Sequence, residues 1–270
     1  MEPVESYYDE KSVSYRAARQ NPVFRIYDAI TWKFLEPLVP TDLNSLVLDA
    51  GGGTGVWAIP MARKGCKVVL LDVSERMLEE AKKEVEVAGL QDRVEIRKGD
   101  MRNLDCPDET FDLVLSEHTL FLFQEPDQVV AELVRVLKKN APIVLSAQNR
   151  LVQVLAHLPN NPTENPGILQ TANRILHKKE HDLLSKERAI KIFSLTPQEF
   201  RDILERNGLK IERIFPKIVT LPLRFEPRFL MGADIPKEIE RHIMQLELAF
   251  SELPDTEALG AHLQAIARKI

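Results

Sequence analysis

The residues best suited to chemistry begin in a short stretch, VLDAGGGTG, at positions 47–55. Gly51, Gly53 and Gly55 alternate there behind an acid, Asp49. Glycine reaches backbone conformations closed to other residues and lets a ligand approach the main chain. Where a helix follows such a loop, its free N–H groups can face a polar ligand. A plain tight turn between strand and helix would use the same residues, so the loop alone leaves both readings open. A second acid, Asp72, ends the next apolar run, KVVLLDVS. One β-α unit beyond a glycine loop, a carboxylate can accept hydrogen bonds from both hydroxyls of a ribose. Asp72 is read that way in preference to a solvated loop carboxylate.

Two nucleotide motifs compete for the loop. The dinucleotide pattern G-x-G-x-x-G fails from Gly51, because its third glycine falls on Val56. From Gly53 it reaches Gly55 and then Ala58, which that motif tolerates, but the loop is led by Asp49. A phosphate-binding P-loop fails because no Gly-Lys-Ser/Thr follows. Further on, Ser116, Glu117 and His118 close another apolar run. Glu117 and His118 are candidates for a general base, against a loop anchor and a structural histidine respectively.

The elements that must hold these residues follow from periodicity. Apolar runs at 46–48, 68–71, 94–96, 113–115 and 143–145 alternate with helix-like stretches at 75–88 and 127–138. Strands alternating with helices predict β-α units around a mostly parallel sheet. Continuous apolar runs fit strands covered on both faces. Before them, Phe24, Tyr27, Ile30, Phe34 and Leu38 fall at helical spacing. After residue 150 the alternation breaks, and 151–192 reads as helical and irregular. Thr196-Pro197 with Glu199 predicts a capping box and a helix ending at Asn207–Gly208. A strand at 209–215, an irregular stretch at 216–236, a helix at 237–250 and a strand at about 261–268 complete the chain.

Bulk composition sets bounds. The 270 residues are 44% apolar and 29% charged, ordinary for a globular protein with a sizeable core. A net charge of −5 gives no support to nucleic-acid binding, which favours a basic face. Cys66 and Cys106 stand alone, without zinc spacing or a disulfide framework, so no metal is expected. No basic-then-apolar leader opens the sequence and no apolar run approaches a membrane span, so a cytoplasmic location is expected.

Residues 45–148, about two-fifths of the chain, resemble the core of class I S-adenosylmethionine (SAM)-dependent methyltransferases of the small-molecule type. The resemblance rests on D-x-G-x-G-x-G at 49–55, Asp72, GDM at 99–101, FDLVLSEHTL at 111–120 and LVRVLKKNAPIVLS at 133–146, in the family's order and spacing. It implies an α/β, Rossmann-like, doubly wound seven-stranded sheet, mostly parallel with the last strand antiparallel, plus helical cap insertions. It implies SAM as co-substrate and S-adenosylhomocysteine as product. The loop at Asp49, Gly51, Gly53 and Gly55 would lie under the methionine part, with Asp72 on the ribose. Val73 and Met77 would pack near the adenine, Asp100 and Met101 on its edge, and Ser116 to His118 beside the sulfonium. The family's Pro-Gly-Gly before the fifth strand is replaced by Asn140-Ala141-Pro142, read as a turn variant. Pro60, early in the first helix, leaves that helix's start open. The Asp/Asn-Pro-Pro-Tyr signature of amino methylation is absent, which disfavours nucleic-acid bases as acceptors.

The expected division is an N-terminal helical lid at 1–40, a SAM-binding core at 41–148, a cap insertion at 149–193, a core continuation at 194–215, a second insertion at 216–258 and a last core strand at 259–270. Ligands in such sheets sit beyond the carboxyl ends of the strands, where both insertions leave. Tyr15 in the lid is a candidate cofactor contact, and Phe121, Phe123, Phe225 and Phe229 candidate walls for an acceptor. The expected partner is a small-molecule methyl acceptor, without membrane and with nucleic acid disfavoured. The alternatives are a methyltransferase acting on RNA or protein, and a SAM-binding protein without transferase activity.

Overall fold

The computed structural model describes residues 2–156, 166–184, 189–220 and 235–270. Helices α1 (Glu2–Ala18) and α2 (Pro22–Leu35) precede strand β1 (Leu46–Ala50). Then come α3 (Ala58–Arg63), β2 (Lys67–Asp72), α4 (Glu75–Ala88), β3 (Val94–Lys98), β4 (Leu113–Ser116), α5 (Pro126–Val136) and β5 (Pro142–Gln148). The second half holds α6 (Arg150–Ala156), α7 (Pro166–Lys178), β6 (Glu180–Leu184), β7 (Ala189–Phe193), α8 (Pro197–Arg206), β8 (Leu209–Lys217), α9 (Lys237–Glu252) and β9 (His262–Lys269).

Seven strands form one sheet in the order β3-β2-β1-β4-β5-β9-β8. Strands β1 to β5 pair in parallel, and β9 runs antiparallel between β5 and β8. Successive side chains of a strand point to opposite faces, and both faces are covered here. Val47, Val68, Leu70, Leu113 and Leu115 pack with Ile26 and Ile30 of α2 and Leu78 of α4. Their neighbours Leu48, Val69, Leu71, Val114 and Leu145 pack on the other side with Val129 of α5 and Phe200 of α8. Each strand therefore feeds two cores, which is why it reads as an unbroken apolar run.

Local signals explain the element ends. Ser74 caps α4 by accepting from the Met77 N–H at 3.2 Å, and Gly89 ends it in the left-handed region. Thr196 and Glu199 form the expected capping box on α8. Pro60 is the third residue of α3, inside the first turn, where its missing N–H costs no intrahelical bond. Asn140 takes a positive φ of 59° ahead of β5, a conformation asparagine tolerates.

The stretch 151–192 departs from its helical, irregular reading, because it also carries the antiparallel hairpin of β6 and β7. Strand β7 alternates, with Ile190 and Ile192 buried between exposed Ala189 and Lys191. The N-terminal segment is also better anchored than its polarity suggests. Val4 and Tyr7 of α1 are buried, and Tyr7 joins Phe121, Ile190 and Ile192 in a small apolar cluster. Asp9 accepts from the Ser74 hydroxyl at 2.6 Å and the Arg76 N–H at 3.3 Å, fixing α1 to the start of α4.

Candidate active site

A cleft opens at the carboxyl ends of β1, β2 and β4, with about 570 Å³ of empty space, its open mouth included. Gly51 turns the chain out of β1 at a φ of 77° and donates to the Leu71 carbonyl at 2.7 Å. A Cβ there would stand 2.4 Å from Cγ2 of Thr119, so only glycine fits. Gly53, also left-handed, is different. A Cβ added to it would meet nothing within 4 Å, which leaves open space above the loop. Its N–H donates to Oδ2 of Asp72 at 2.9 Å, while Oδ1 accepts from the Ser74 N–H at 2.9 Å. These two bonds aim the carboxylate, and each oxygen retains acceptor capacity for a ligand. Burial raises the Asp72 pKa against the pull of these backbone bonds.

Apolar side chains make the walls: Val73 and Met77 on one side, Met101, Leu122 and Phe123 on another. Helix α1 lays Val4, Tyr8 and Tyr15 along the cleft. Burial raises the phenol pKa of both tyrosines, with the Asp72 charge contributing. An open-sided glycine loop, a fixed carboxylate and apolar walls fit a nucleoside joined to a flexible polar tail.

Ten residues singled out from sequence border this cleft: Gly51, Gly53, Asp72, Val73, Met77, Met101, Tyr15 and Phe123, with the base candidates Glu117 and His118. Four others, Asp49, Gly55, Asp100 and Ser116, are absent from its lining. Asp49 is buried beneath the loop, with Oδ2 unpartnered among the described residues. Burial pushes its carboxyl up to about 7, against a backbone bond from Ala58. A Cβ on Gly55 would make ordinary contact with Leu70. Asp100 is held by Arg102, at 2.6 Å to the guanidinium. Burial raises its pKa but that pairing outweighs it, leaving the carboxyl below its usual range. The Ser116 hydroxyl bonds the Ala50 carbonyl at 3.1 Å and the Thr119 hydroxyl at 2.5 Å, bracing the loop from behind. Phe121 is packed in the α1–hairpin cluster, and Phe225 and Phe229 lie outside the described residues.

The two base candidates both line the cleft, in unequal states. Glu117 holds three donors. Its Oε1 accepts from Lys217 Nζ at 2.6 Å and from the Tyr27 hydroxyl, and its Oε2 from Gln264 at 2.9 Å. The Lys217 and Glu117 side chains are 0% and 1% exposed, so this is a fully buried ion pair. Lys217 also donates to the Thr31 hydroxyl at 3.0 Å and stands 3.8 Å from the centre of the Tyr27 ring. Burial pushes its ammonium down to about 8, opposed by Glu117. His118 adopts a φ of 61° and donates its backbone N–H to the Ser146 hydroxyl at 2.7 Å. Burial lowers its imidazole to about 3, helped by the charges of Arg19 and Lys217. It is therefore neutral near pH 7, and only weakly basic. Its ring lies 4.9 Å from that of His262, whose pKa burial also drives well below the ordinary value.

Sequence reasoning did not find Lys217, Gln264 or His262. Tyr27 appeared only as one apolar position on a helical stripe. The available signal was Lys217 itself, a lone cation in FPKIV at the end of a strand.

Residues 47–140 match a family described as a methyltransferase domain. A phosphatidylethanolamine N-methyltransferase of Cereibacter sphaeroides is 39% identical over 99 residues, covering 37% of this chain and 48% of that protein. A tRNA 5-carboxymethoxyuridine methyltransferase of Escherichia coli K12 is 32% identical over 130 residues, covering 46% and 49%. The chain spans about half the length of the curated relatives it matches. A solved S-adenosylmethionine-dependent methyltransferase from Mesorhizobium loti shares the fold at 19% identity and a TM-score of 0.58, over 89% of this chain and 98% of that one. Residues 47–140 thus match a methyltransferase domain, and the seven-stranded sheet they help build is the fold of solved S-adenosylmethionine-dependent methyltransferases.

Proposed function

We propose that this protein binds SAM in the cleft and transfers its methyl group to a small-molecule acceptor, releasing S-adenosylhomocysteine. One observation carries the reading: the left-handed loop at Gly51–Gly53 and the Asp72 carboxylate are hydrogen-bonded to each other across one cleft. In this reading Asp72 holds the ribose, Val73, Met77 and Met101 pack against the adenine, and Tyr15 closes the open side. Bound SAM supplies a methyl group on positive sulfur, already activated for transfer. The protein's part is to orient the acceptor and exclude water, which can supply most of the acceleration. Glu117 is committed to three donors and positions the end of β4. Neutral His118 is the base candidate there, though burial makes it a weak base. Residues 1–40 act as the lid, and the insertions at 149–193 and 216–258 build the acceptor side around the core segments.

The tRNA-modifying relative favours a second reading, in which the acceptor is RNA. Among the described residues no helix is long and apolar enough to cross a membrane. Titration calorimetry tests the common part: SAM and S-adenosylhomocysteine bind and NAD does not. Binding of NAD with no response to SAM would sink both readings. Radiolabel from SAM then separates them, appearing in a metabolite pool or in tRNA. Binding without transfer to either pool would favour a SAM-binding protein without transferase activity.

A further inference from the structure

Where β5 and β8 leave the sheet, one face of it turns polar. Six buried side-chain atoms lack a hydrogen-bond partner among the described residues, and three of them gather here: Oε1 of Gln148, Nδ1 of His262 and Oε1 of Gln264. Gln148 of β5 and Lys217 of β8 both stand opposite His262 of β9, and Gln264 stands opposite Ser146. Directly paired residues, and residues two apart on one strand, share a face. The same face reaches Glu117, which accepts from the Gln264 amide and from Lys217. Buried polar groups are nearly always paired, and an unmet one costs stability. Three on neighbouring positions point to a partner from outside the protein.

Chemistry and place narrow that partner. The bond to Glu117 fixes the Gln264 amide, so its nitrogen faces the carboxylate and its oxygen is left to accept. Burial drives the His262 imidazole well below its ordinary pKa, so the ring is neutral and one of its nitrogens can accept. The unmet positions therefore call for hydrogen-bond donors. A cation is disfavoured as their carrier, because the buried Lys217 ammonium stands beside His262 and its charge reaches both His118 and His262. The rings of His118 and Tyr27 lie 4.9 Å and 5.2 Å from that of His262 and give flat apolar sides. His118 in turn lines the cleft. Ligands of such sheets sit at the carboxyl ends of the parallel strands, and Gln148 is the last residue of β5.

We propose that Gln148, His262 and Gln264 form the subsite for the methyl acceptor, entered from the cleft past His118, and that it takes a neutral, flat group bearing hydroxyl or amide N–H donors. This rests on the SAM reading above and names a substrate class for it. The test follows benzamide, phenol and benzylamine by saturation-transfer NMR, each added to the protein with S-adenosylhomocysteine. Benzamide or phenol should bind, and benzylamine, a cation near neutral pH, should not. His262→Phe combined with Gln148→Leu keeps the ring and the side-chain bulk while removing two of the three acceptors. The bound probe should then weaken about fivefold or more, as one or two lost neutral hydrogen bonds predict. S-adenosylhomocysteine should stay within about twofold of the wild type by calorimetry, and the urea midpoint should hold or rise, because apolar isosteres leave nothing unpaired. Gln148→Leu alone decides the matter if the double variant fails to fold. The proposal is overturned if the wild type binds neither neutral probe, if benzylamine binds as well as they do, or if the variant binds them undiminished. Probe binding without any binding of S-adenosylhomocysteine sinks the SAM reading, and with it the assignment of this subsite to a methyl acceptor.

Discussion

Along the wall made by β1 and β2, the polar contacts are largely those of the main chain. The Gly51 N–H meets the Leu71 carbonyl, and the Gly53 and Ser74 N–H groups meet one carboxylate. Where β4 ends, side chains do the holding: Glu117 gathers Lys217, Tyr27 and Gln264 from three other elements. The first wall is assembled within about 25 residues of sequence, and the second joins residues 90 to 147 positions apart. A wall of backbone groups tolerates change except where a Cβ or a carboxylate is decisive. A wall of buried charges depends on every member.

The largest expected effect tests that dependence. Lys217→Met leaves the Glu117 carboxylate buried without its cation, and should cost about 3–5 kcal/mol in urea denaturation at pH 7. Combining it with Glu117→Leu should cost clearly less than the sum of the two single changes. Strict additivity would mean that the two walls are held in the same way. On the other wall, Asp72→Ala should keep the fold and weaken S-adenosylhomocysteine by roughly tenfold or more, about 1.5–3 kcal/mol. Calorimetry that finds equal affinity would reduce Asp72 to a loop anchor for Gly53 and Ser74.

Much of the first wall was legible from sequence because its causes are local. A positive φ selects glycine at 51 and 53, and a capping serine two residues after Asp72 starts α4. The capping box at Thr196 and Glu199 was readable for the same reason. The second wall was hidden, because nothing near Lys217 announces that it will be buried against Glu117. The β6–β7 hairpin was hidden too. Its first strand, EHDLL, lacks the alternation that marks a half-buried strand. Asp49 shows a further limit: its place in the loop motif is obvious, yet its side chain lies beneath the loop and outside the cleft lining.

The smallest effect sharpens the comparison through pH. Burial raises Asp49 from 3.8 to about 7, so the folded state holds its proton more tightly than the unfolded chain. Between those values the folded state binds more protons, and this group's contribution to stability falls as pH rises. Asp49→Asn removes that titration. Relative to the wild type, the variant should therefore gain stability from pH 5 to pH 8, as read from urea midpoints. An identical difference at both pH values would show that the carboxyl titrates normally.

The antiparallel placement of β9 also governs the order in which this molecule can be completed. Strand β9 follows every other described strand in the chain, yet it belongs between β5 and β8. Until it inserts, β5 presents a bare row of hydrogen-bonding groups, an invitation to pair with another chain. Gln264, one of the three donors to Glu117, is supplied by the same strand. The sheet thus closes by a late, long-range step of the kind that slows folding and leaves intermediates prone to aggregate. Losing β9 would both expose the β5 edge and strip one donor from a buried carboxylate, two faults that a chaperone would meet on a single half-made surface.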